Sequence, residues 1–252
     1  VKLSDIASAR KLLPPRLVVY GGPKVGKSTL AAGAPSPIFI PTEEGLTAID
    51  VPAFPLARTF DEVMSAVECL ATEQHEFKTV VIDSLDWTEK TIWEHTCKKA
   101  GVASIEEVAK GYGRGYLAAV EHWRNLLEGL DWLRNVKGMA VILICHDEIK
   151  RFEPPDGDAF DVARLKLNAK AAAVVTEWAD CIGYARAKRV AKTEAGKGFD
   201  KDKVRTRAIG TGQRVLTLGQ NPAYCTGNRY GLPDEVALNW AAFQAALDAA
   251  RS

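Results

Sequence analysis

The sequence has 252 residues, of which 47% are hydrophobic and 26% are charged. These proportions are typical of a folded globular protein, so they exclude a disordered, collagen-like or disulfide-scaffold chain. There are 33 Lys and Arg residues against 32 Asp and Glu residues, which gives a net charge of +1. Overall charge therefore neither favours nor excludes a polyanionic partner.

Cysteine spacing and hydropathy bear on the compartment. The five cysteines are scattered and never form a C-x-x-C pair, which favours a reducing compartment and disfavours a zinc site. No apolar run approaches the roughly 18 residues that a membrane span needs. The N-terminal segment VKLSDIASARKLLPP lacks the apolar centre of a signal peptide. We therefore expect a soluble protein of the cytoplasm, with no membrane partner.

Strand-like and helix-like segments alternate through the first 145 residues. Apolar runs without polar alternation predict buried strands, and apolar residues at helical spacing predict the helices between them. This order predicts an α/β fold with a largely parallel sheet covered by helices on both faces. The predicted strands are 16–20, 36–41, 79–83 and 139–145, and the predicted helices are 28–34, 60–74, 87–100 and 116–136.

The pattern changes after residue 145. A polar stretch with a PPDGD turn is followed by an amphipathic helix at 165–178. Three β-like pieces then predict a mixed or antiparallel extension of the sheet, and an alanine-rich helix ends the sequence. We predict one domain over 1–252, with a core at about 15–180 and a basic β extension and C-terminal helix at about 181–252. The β-like pieces are 181–190, 204–210 and 214–219, and the last helix is 236–250.

A phosphate-binding loop follows the first predicted strand. Its sequence GGPKVGKS matches G-x-x-x-x-G-K-[ST] in full. Glycines let the backbone N–H groups surround phosphate oxygens, and the next helix adds its positive end. Lys27 is expected to reach the β- and γ-phosphates of ATP, and the Ser28 hydroxyl to ligate Mg²⁺. The predicted nucleotide-binding residues are Gly21, Gly22, Pro23, Lys24, Val25, Gly26, Lys27, Ser28 and Thr29.

Polar residues also follow the other predicted strands of the core. Asp83 ends its strand, where a carboxylate faces the ligand crevice of a parallel sheet. We expect it to hold Mg²⁺ through water, the alternative being a helix cap. Glu43 and Glu44 are candidates to orient a water for hydrolysis, Glu43 being preferred, or else belong to a solvated turn. His146 is placed to sense the γ-phosphate or to cap a loop.

These motifs together resemble a known family. GGPKVGKST, PTEEGL, TVVIDSL and VILICH, in this order, resemble the core of RecA-like ATPases. The resemblance is closer to phage-encoded RecA-like ATP-binding proteins that act as single-strand annealing proteins. GNRYGLP at 227–233 is similar to a late arginine-containing element of those proteins. The resemblance spans roughly residues 15–235.

The resemblance implies ATP- and Mg²⁺-dependent binding of single-stranded DNA in annealing or homologous recombination. It further implies Glu43 as the catalytic carboxylate and His146 as the nucleotide-sensing residue, with Lys27 offsetting developing charge. Single-stranded DNA, further copies of this chain in an oligomer or filament, and a single-strand binding protein are the candidate partners. For a phage protein the compartment is the host cytoplasm.

Two charged segments bear on DNA binding. RecA-like proteins contact DNA through the loop after the strand that here ends at His146. That segment, 147–161, carries six acidic residues against Lys150 and Arg151, and acidic groups repel phosphate. The basic surplus lies at 184–214, with ten Lys and Arg against three acidic residues. The nucleic-acid candidates in that segment are Lys188, Arg189, Arg205 and Arg207, the alternatives being a solvated hairpin or a face packed on an acidic neighbour.

Two further sets of residues have open roles. The loop KGYGRGY at 110–116 could stack bases on its tyrosines or simply connect two helices. Arg207 and Arg229 are candidates to act in trans on ATP in a neighbouring subunit, or else form surface salt bridges.

We expect an ATPase with slow or DNA-stimulated turnover. The alternatives are a small-molecule kinase, a nucleotide-controlled assembly module without turnover, and a helicase motor or loader.

Overall fold

The computed structural model describes residue 2 and residues 12–155, 157–195 and 204–251, with the backbone alone at 189–195 and 204–209. Within these residues the strands are β1 (Arg16–Gly21), β2 (Pro37–Pro41), β3 (Thr79–Asp83), β4 (Ala140–Phe152), β5 (Phe160–Leu165), β6 (Cys181–Ala195), β7 (Val204–Thr217), β8 (Gly227–Asn228) and β9 (Glu235–Ala237). The helices are α1 (Lys27–Ala32), α2 (Phe60–Thr72), α3 (Leu85–Ala100), α4 (Arg114–Val136), α5 (Ala169–Trp178) and α6 (Trp240–Arg251), with a 3-10 helix at Ile105–Lys110. None of the described helices is both long and apolar enough to cross a membrane.

The strands form one mixed sheet in the order β2-β3-β4-β1-β6-β7-β9. The first five strands of this order run parallel, whereas β7 and β9 continue the sheet in antiparallel pairing. In register, Gly21 at the end of β1 lies beside His146 and Ala185, and Asp83 at the end of β3 lies beside Pro41. The carboxyl ends of these strands therefore meet at a single edge of the sheet.

Both faces of the central strands are buried. Val18 and Tyr20 of β1 pack with α2, α3, α4 and α5 on one face, and Leu17 and Val19 pack with α1 and α6 on the other. Because successive side chains of a strand point to opposite faces, a strand covered on both sides needs apolar residues throughout. This explains the runs without alternation, and it confirms the predicted α/β fold with a mostly parallel sheet and flanking helices.

A network of charges closes the opposite edge of the sheet. Asp180, which precedes β6, is buried and accepts hydrogen bonds from Arg16 and Arg134, with N···O distances of 2.7 and 3.0 Å. Tyr230 also donates to this carboxylate. The pairing joins the starts of β1 and β6 to α4, because each of the three residues comes from a different segment.

The polar stretch after residue 145 differs from the prediction. β4 does not end at Cys145 but continues to Phe152, and it pairs with β5 in antiparallel orientation. The predicted helix at 165–178 is shorter, because Leu165 belongs to β5 and the Asn168 side chain caps α5 by accepting from the Lys170 N–H.

The predicted β extension also differs. The separate β-like pieces at 204–210 and 214–219 form most of one strand, β7, whereas residues 196–203 lie outside the described part of the chain.

Candidate nucleotide-binding site

The phosphate loop connects β1 to α1 and has the backbone that its glycines allow. Gly26, the N-cap of α1, is left-handed with φ 112°, a region that residues with a Cβ rarely adopt. Gly21 at the start of the loop has φ 155°, and a Cβ there would collide with the carbonyl oxygen of Ala185. The close packing of β1 against β6 therefore requires glycine at the point where the loop leaves the sheet.

Lys27 is folded back into this loop. Its side chain is buried, and Nζ donates to the carbonyl oxygens of Gly21 and Gly22 at 2.8 and 2.9 Å. Burial lowers the pKa of Lys27, and the nearby carboxylates of Asp83 and Asp147 oppose that shift. The ammonium is therefore held in the loop by carbonyl groups that phosphate oxygens can replace.

Ser28 and Asp83 form a hydroxyl–carboxylate pair across the site. Ser28 Oγ donates to Asp83 Oδ2 at 2.6 Å, although the two residues come from different elements. Asp83 is 6% exposed, and burial raises its pKa, with the Glu43 carboxylate adding to the shift and the Ser28 hydrogen bond opposing it. The described residues contain no cluster of three His, Cys, Asp or Glu side chains suited to a metal. A hydroxyl beside a carboxylate nevertheless fits Mg²⁺, which prefers oxygen ligands. This ion needs few protein ligands, because it keeps several of its waters and also binds substrate phosphates.

His146 is held by a carboxylate that the sequence reasoning did not assign to the site. Its Nδ1 lies 3.0 and 3.1 Å from the two carboxylate oxygens of Asp86, and its backbone N–H also donates to Asp86. Glu43 Oε1 lies 3.9 Å from the same ring nitrogen. The Asp86 hydrogen bond raises the pKa of His146, despite partial burial. Burial acts to raise the pKa of Asp86, but hydrogen bonds from His146 and Ser84 lower it to about 2.

The sequence signal for Asp86 was ambiguous. It lies in the first turn of α3, where an acidic residue is common because it complements the helix dipole. Only the placement of α3 against the end of β4 reveals that this carboxylate meets His146.

A cavity of about 340 Å³ brings most of the predicted residues together. The predicted residues Gly21, Gly22 and Val25 do not line it. Val25 packs against the apolar core on the α1 face, and the carbonyls of the two glycines face Lys27. Arg214 of β7, which was not singled out from the sequence, does line it. The lining consists of Pro23, Lys24, Gly26, Lys27, Ser28, Thr29, Glu43, Glu44, Gly45, Ile49, Asp83, His146 and Arg214.

The nucleic-acid candidates lie on the paired strands β6 and β7, which extend beyond this edge. Lys188 is not a free cation, because Nζ lies 2.7 Å from Glu235 Oε1, and Arg186 binds the other oxygen of that carboxylate. The side chains of Arg189, Arg205 and Arg207 lie outside the part of the chain whose side chains are described. The role of this surface in DNA binding stays a prediction.

The remaining candidates lie elsewhere. Arg229 is at the opposite edge of the sheet, where its guanidinium donates to the Glu177 carbonyl and lies 3.7 Å from Asp180. Its action in trans stays a prediction, as does that of Arg207. In the segment 110–116, the end of which belongs to α4, Tyr112 is 97% exposed, whereas the Tyr116 hydroxyl donates to Glu106.

Comparison with known proteins identifies the family of this chain. Residues 13–230 match the AAA_24 family, described as an AAA domain, and the chain belongs to this family. It is therefore a nucleotide-binding P-loop domain of the AAA type. The SPbeta prophage-derived uncharacterized protein YorG of Bacillus subtilis (strain 168) is 27% identical over 148 residues. That match covers 56% of this chain and 44% of YorG, so the chain spans less than half of that protein.

Among solved structures, one described as the crystal structure of the RadB recombinase is similar to this chain, with a TM-score of 0.47 and 13% identity. The match covers 91% of this chain and 90% of that one.

Proposed function

We propose that this chain binds ATP with Mg²⁺ and hydrolyses the bond between the β- and γ-phosphates. One observation carries the proposal: Lys27, the Ser28–Asp83 pair and the Glu43 carboxylate beside His146 converge on one cavity at the edge where the parallel strands end. Membership of the AAA domain family supports it.

Each side chain then has a separate task. Lys27 exchanges its loop carbonyls for oxygens of the β- and γ-phosphates and stabilises their charge. Glu43, partly exposed at the cavity wall, accepts a hydrogen bond from the attacking water and orients it. Asp86 occupies Nδ1 of His146, which leaves the second ring nitrogen to donate to the γ-phosphate. Ser28 and Asp83 are the residues that would hold Mg²⁺, which would neutralise part of the phosphate charge.

Measurement of phosphate release from ATP in the presence of Mg²⁺ tests this proposal. Lys27→Ala is expected to abolish nucleotide binding, because the loop loses its buried cation, and circular dichroism checks that the fold is intact. Glu43→Gln is expected to keep binding and to lose about 10²- to 10⁴-fold in turnover. Wild-type binding without phosphate release, unchanged by Glu43→Gln, would instead favour a nucleotide-controlled assembly module.

We further propose that the nucleotide controls binding of single-stranded DNA during annealing or recombination by an oligomer of this chain. The support is the local surplus of ten Lys and Arg against three acidic residues at 184–214. It is also the position of this segment, because β6 and β7 continue outward from the edge that carries the phosphate loop. The prophage origin of the relative YorG supports a phage role.

Phosphate release with and without unstructured single-stranded DNA tests this second step. Stimulation that Lys27→Ala abolishes would tie the phosphate site to DNA. Neutralising Lys188, Arg189, Arg205 and Arg207 together is expected to weaken DNA binding and to flatten its salt slope by roughly 0.7 for each phosphate no longer bound. An unchanged salt slope would mean that DNA binds a different surface of the protein.

A small-molecule kinase is a second candidate, and one observation favours it. A cavity of about 470 Å³ adjoins the phosphate cavity and shares Glu43 and Glu44 with it. Its other walls include Arg58, Trp87 and Lys90, with Lys90 Nζ 3.4 Å from the centre of the Trp87 ring. A phosphoryl acceptor could lie there beside Glu43. ATP turnover in the absence of any acceptor would count against this candidate.

A further inference from the structure

Arg214 reaches the phosphate loop from a strand far along the sequence. In the sheet, Gly21 of β1 lies beside Ala185 of β6, and Ala185 pairs with Leu216 of β7. Arg214 is two residues beyond that level, on the side where the strands end. Because side chains two apart on a strand share a face, Arg214 is on the same face of the sheet as the buried Leu216. It is two residues closer to the end of the sheet that carries the phosphate loop.

The approach of Arg214 to the loop is close. A Cβ placed on Gly26 would lie 3.2 Å from Arg214 Nη1 and 3.9 Å from its Cδ. The backbone carbonyl of Arg214 accepts from the Leu238 N–H at 3.0 Å, which fixes this part of β7. Arg214 thus lines the same cavity as Lys27 and Ser28.

Arg214 differs from the other described cations of the two strands. Arg186 and Lys188 are both paired with the Glu235 carboxylate, each at 2.7 Å. For Arg214, the described part of the chain offers no carboxylate within ion-pair distance, and the side chain is exposed. A guanidinium that faces the phosphate cavity and is not paired with a carboxylate has the charge and the planar donors that bind phosphate oxygens in pairs.

We propose that Arg214 is a ligand of the nucleotide phosphates, supplied by β7. The inference rests on the proposed ATP site, and it adds a second cation that the loop motif does not contain. It also joins the nucleotide to the basic strands, because Arg214 belongs to the pair β6–β7. Bound phosphate and a polyanion on those strands then influence each other's affinity by the same factor.

Displacement of a fluorescent ADP analogue by ATP, ADP and inorganic tripolyphosphate tests the proposal. Tripolyphosphate has no base or sugar, so it reports on the phosphate interactions alone. Arg214→Ala is expected to weaken ATP and tripolyphosphate binding about 10-fold or more, the loss typical of one charged hydrogen bond. Arg214→Lys should restore part of it. Arg124→Ala, an exposed arginine on α4, is the matched control and should change nothing.

The outcomes separate the two proposals. Unchanged affinities in Arg214→Ala, with binding abolished in Lys27→Ala, would overturn the role of Arg214 and leave the ATP site in place. Weaker ATP binding with unchanged tripolyphosphate binding would assign Arg214 to the nucleoside and also overturn it. Wild-type protein that binds neither ATP nor tripolyphosphate would overturn the ATP site and the Arg214 proposal together.

Discussion

Ser28 Oγ donates a 2.6 Å hydrogen bond to Asp83 Oδ2, joining the first turn of α1 to the end of β3. The two oxygens are in place before any ligand binds, so the cost of ordering them is met during folding. The hydrogen bond is also compatible with a metal role, because the hydroxyl oxygen keeps two lone pairs while its proton is donated to Asp83.

The first prediction concerns this pair. Ser28→Ala removes the hydroxyl ligand, so we expect ATP binding to weaken in the presence of Mg²⁺ and to change little in EDTA. Calorimetric titration under both conditions measures the difference. Lys27→Ala is the contrasting variant, because losing the ammonium should weaken binding with and without Mg²⁺. Equal losses in Ser28→Ala under both conditions would contradict a metal role for Ser28.

The second prediction concerns the charge of His146. The hydrogen bond to Asp86 raises the pKa of His146, so Asp86→Asn should lower it, because the largest contribution that raises the pKa is lost while burial, which lowers it, remains. The stability that this pair contributes is complete below the ordinary histidine pKa of 6.5 and is lost as pH rises through the raised value. NMR titration of the ring protons measures the pKa directly. Glu43→Gln is the control, and the 3.9 Å separation of Glu43 from His146 predicts a smaller decrease.

The third prediction concerns Glu89, a carboxyl of α3 that is 5% exposed. Burial raises its pKa to about 7 from an ordinary 4.5, although the Asn168 N–H donates to it. The folded state therefore holds a proton that the unfolded state releases, so stability falls as pH rises from 4.5 to 7.

Glu89→Gln removes that dependence and keeps an oxygen to accept from Asn168. Its stability relative to wild type should rise by up to about 3 kcal/mol between pH 5 and pH 8. Urea unfolding at the two pH values measures this. A constant difference would mean that Glu89 is already ionised at pH 5.

The fourth prediction concerns the charge network opposite the site. Asp180→Ala leaves Arg16 and Arg134, which are 14% and 12% exposed, without their shared carboxylate. Removing one partner of a buried ion pair costs about 3–5 kcal/mol, and urea unfolding should show that loss. Asp131→Ala is the matched control, because Asp131 pairs with Arg16 but is 31% exposed. It should cost clearly less, and equal losses would contradict the central role of Asp180.

The fifth prediction concerns Glu235, whose carboxylate pairs with both Arg186 and Lys188. If the β6–β7 pair binds DNA, Glu235→Gln should free both cations and strengthen single-strand binding. The salt slope should then steepen by roughly 0.7 for each additional phosphate that the strands bind. Fluorescence anisotropy at several salt concentrations measures the slope. Weaker binding in this variant would indicate that the Glu235 pairs organise the surface.

The sequence predicted the parallel part of the fold because its strands are apolar throughout. It also predicted Glu43, Asp83 and His146 as neighbours, because the ends of parallel strands meet at one edge. It could not predict the outer half of β4, whose residues beyond Cys145 are partly or fully exposed and mostly polar. Such a strand depends on its pairing with β5, and this pairing leaves no recognisable pattern in the residues of β4 itself.

Two site residues were missed for a similar physical reason. Asp86 reaches His146 through the packing of α3 against β4, and the two residues are 60 apart in the chain. Arg214 reaches Gly26 through the pairing of β1, β6 and β7. Both interactions depend on how elements are placed in space, and neither residue type at its position is unusual for a helix start or a strand.

The length of β6 has a mechanical consequence. This strand begins in the core at Cys181 and ends at Ala195, ten residues beyond the level of Gly21. At about 3.3 Å per residue, the outer part extends about 33 Å beyond the phosphate loop. A rotation of about 5° beside the loop would displace the far end by about 3 Å. A small adjustment at the loop would thereby become a movement about as large as the spacing between successive residues of a strand.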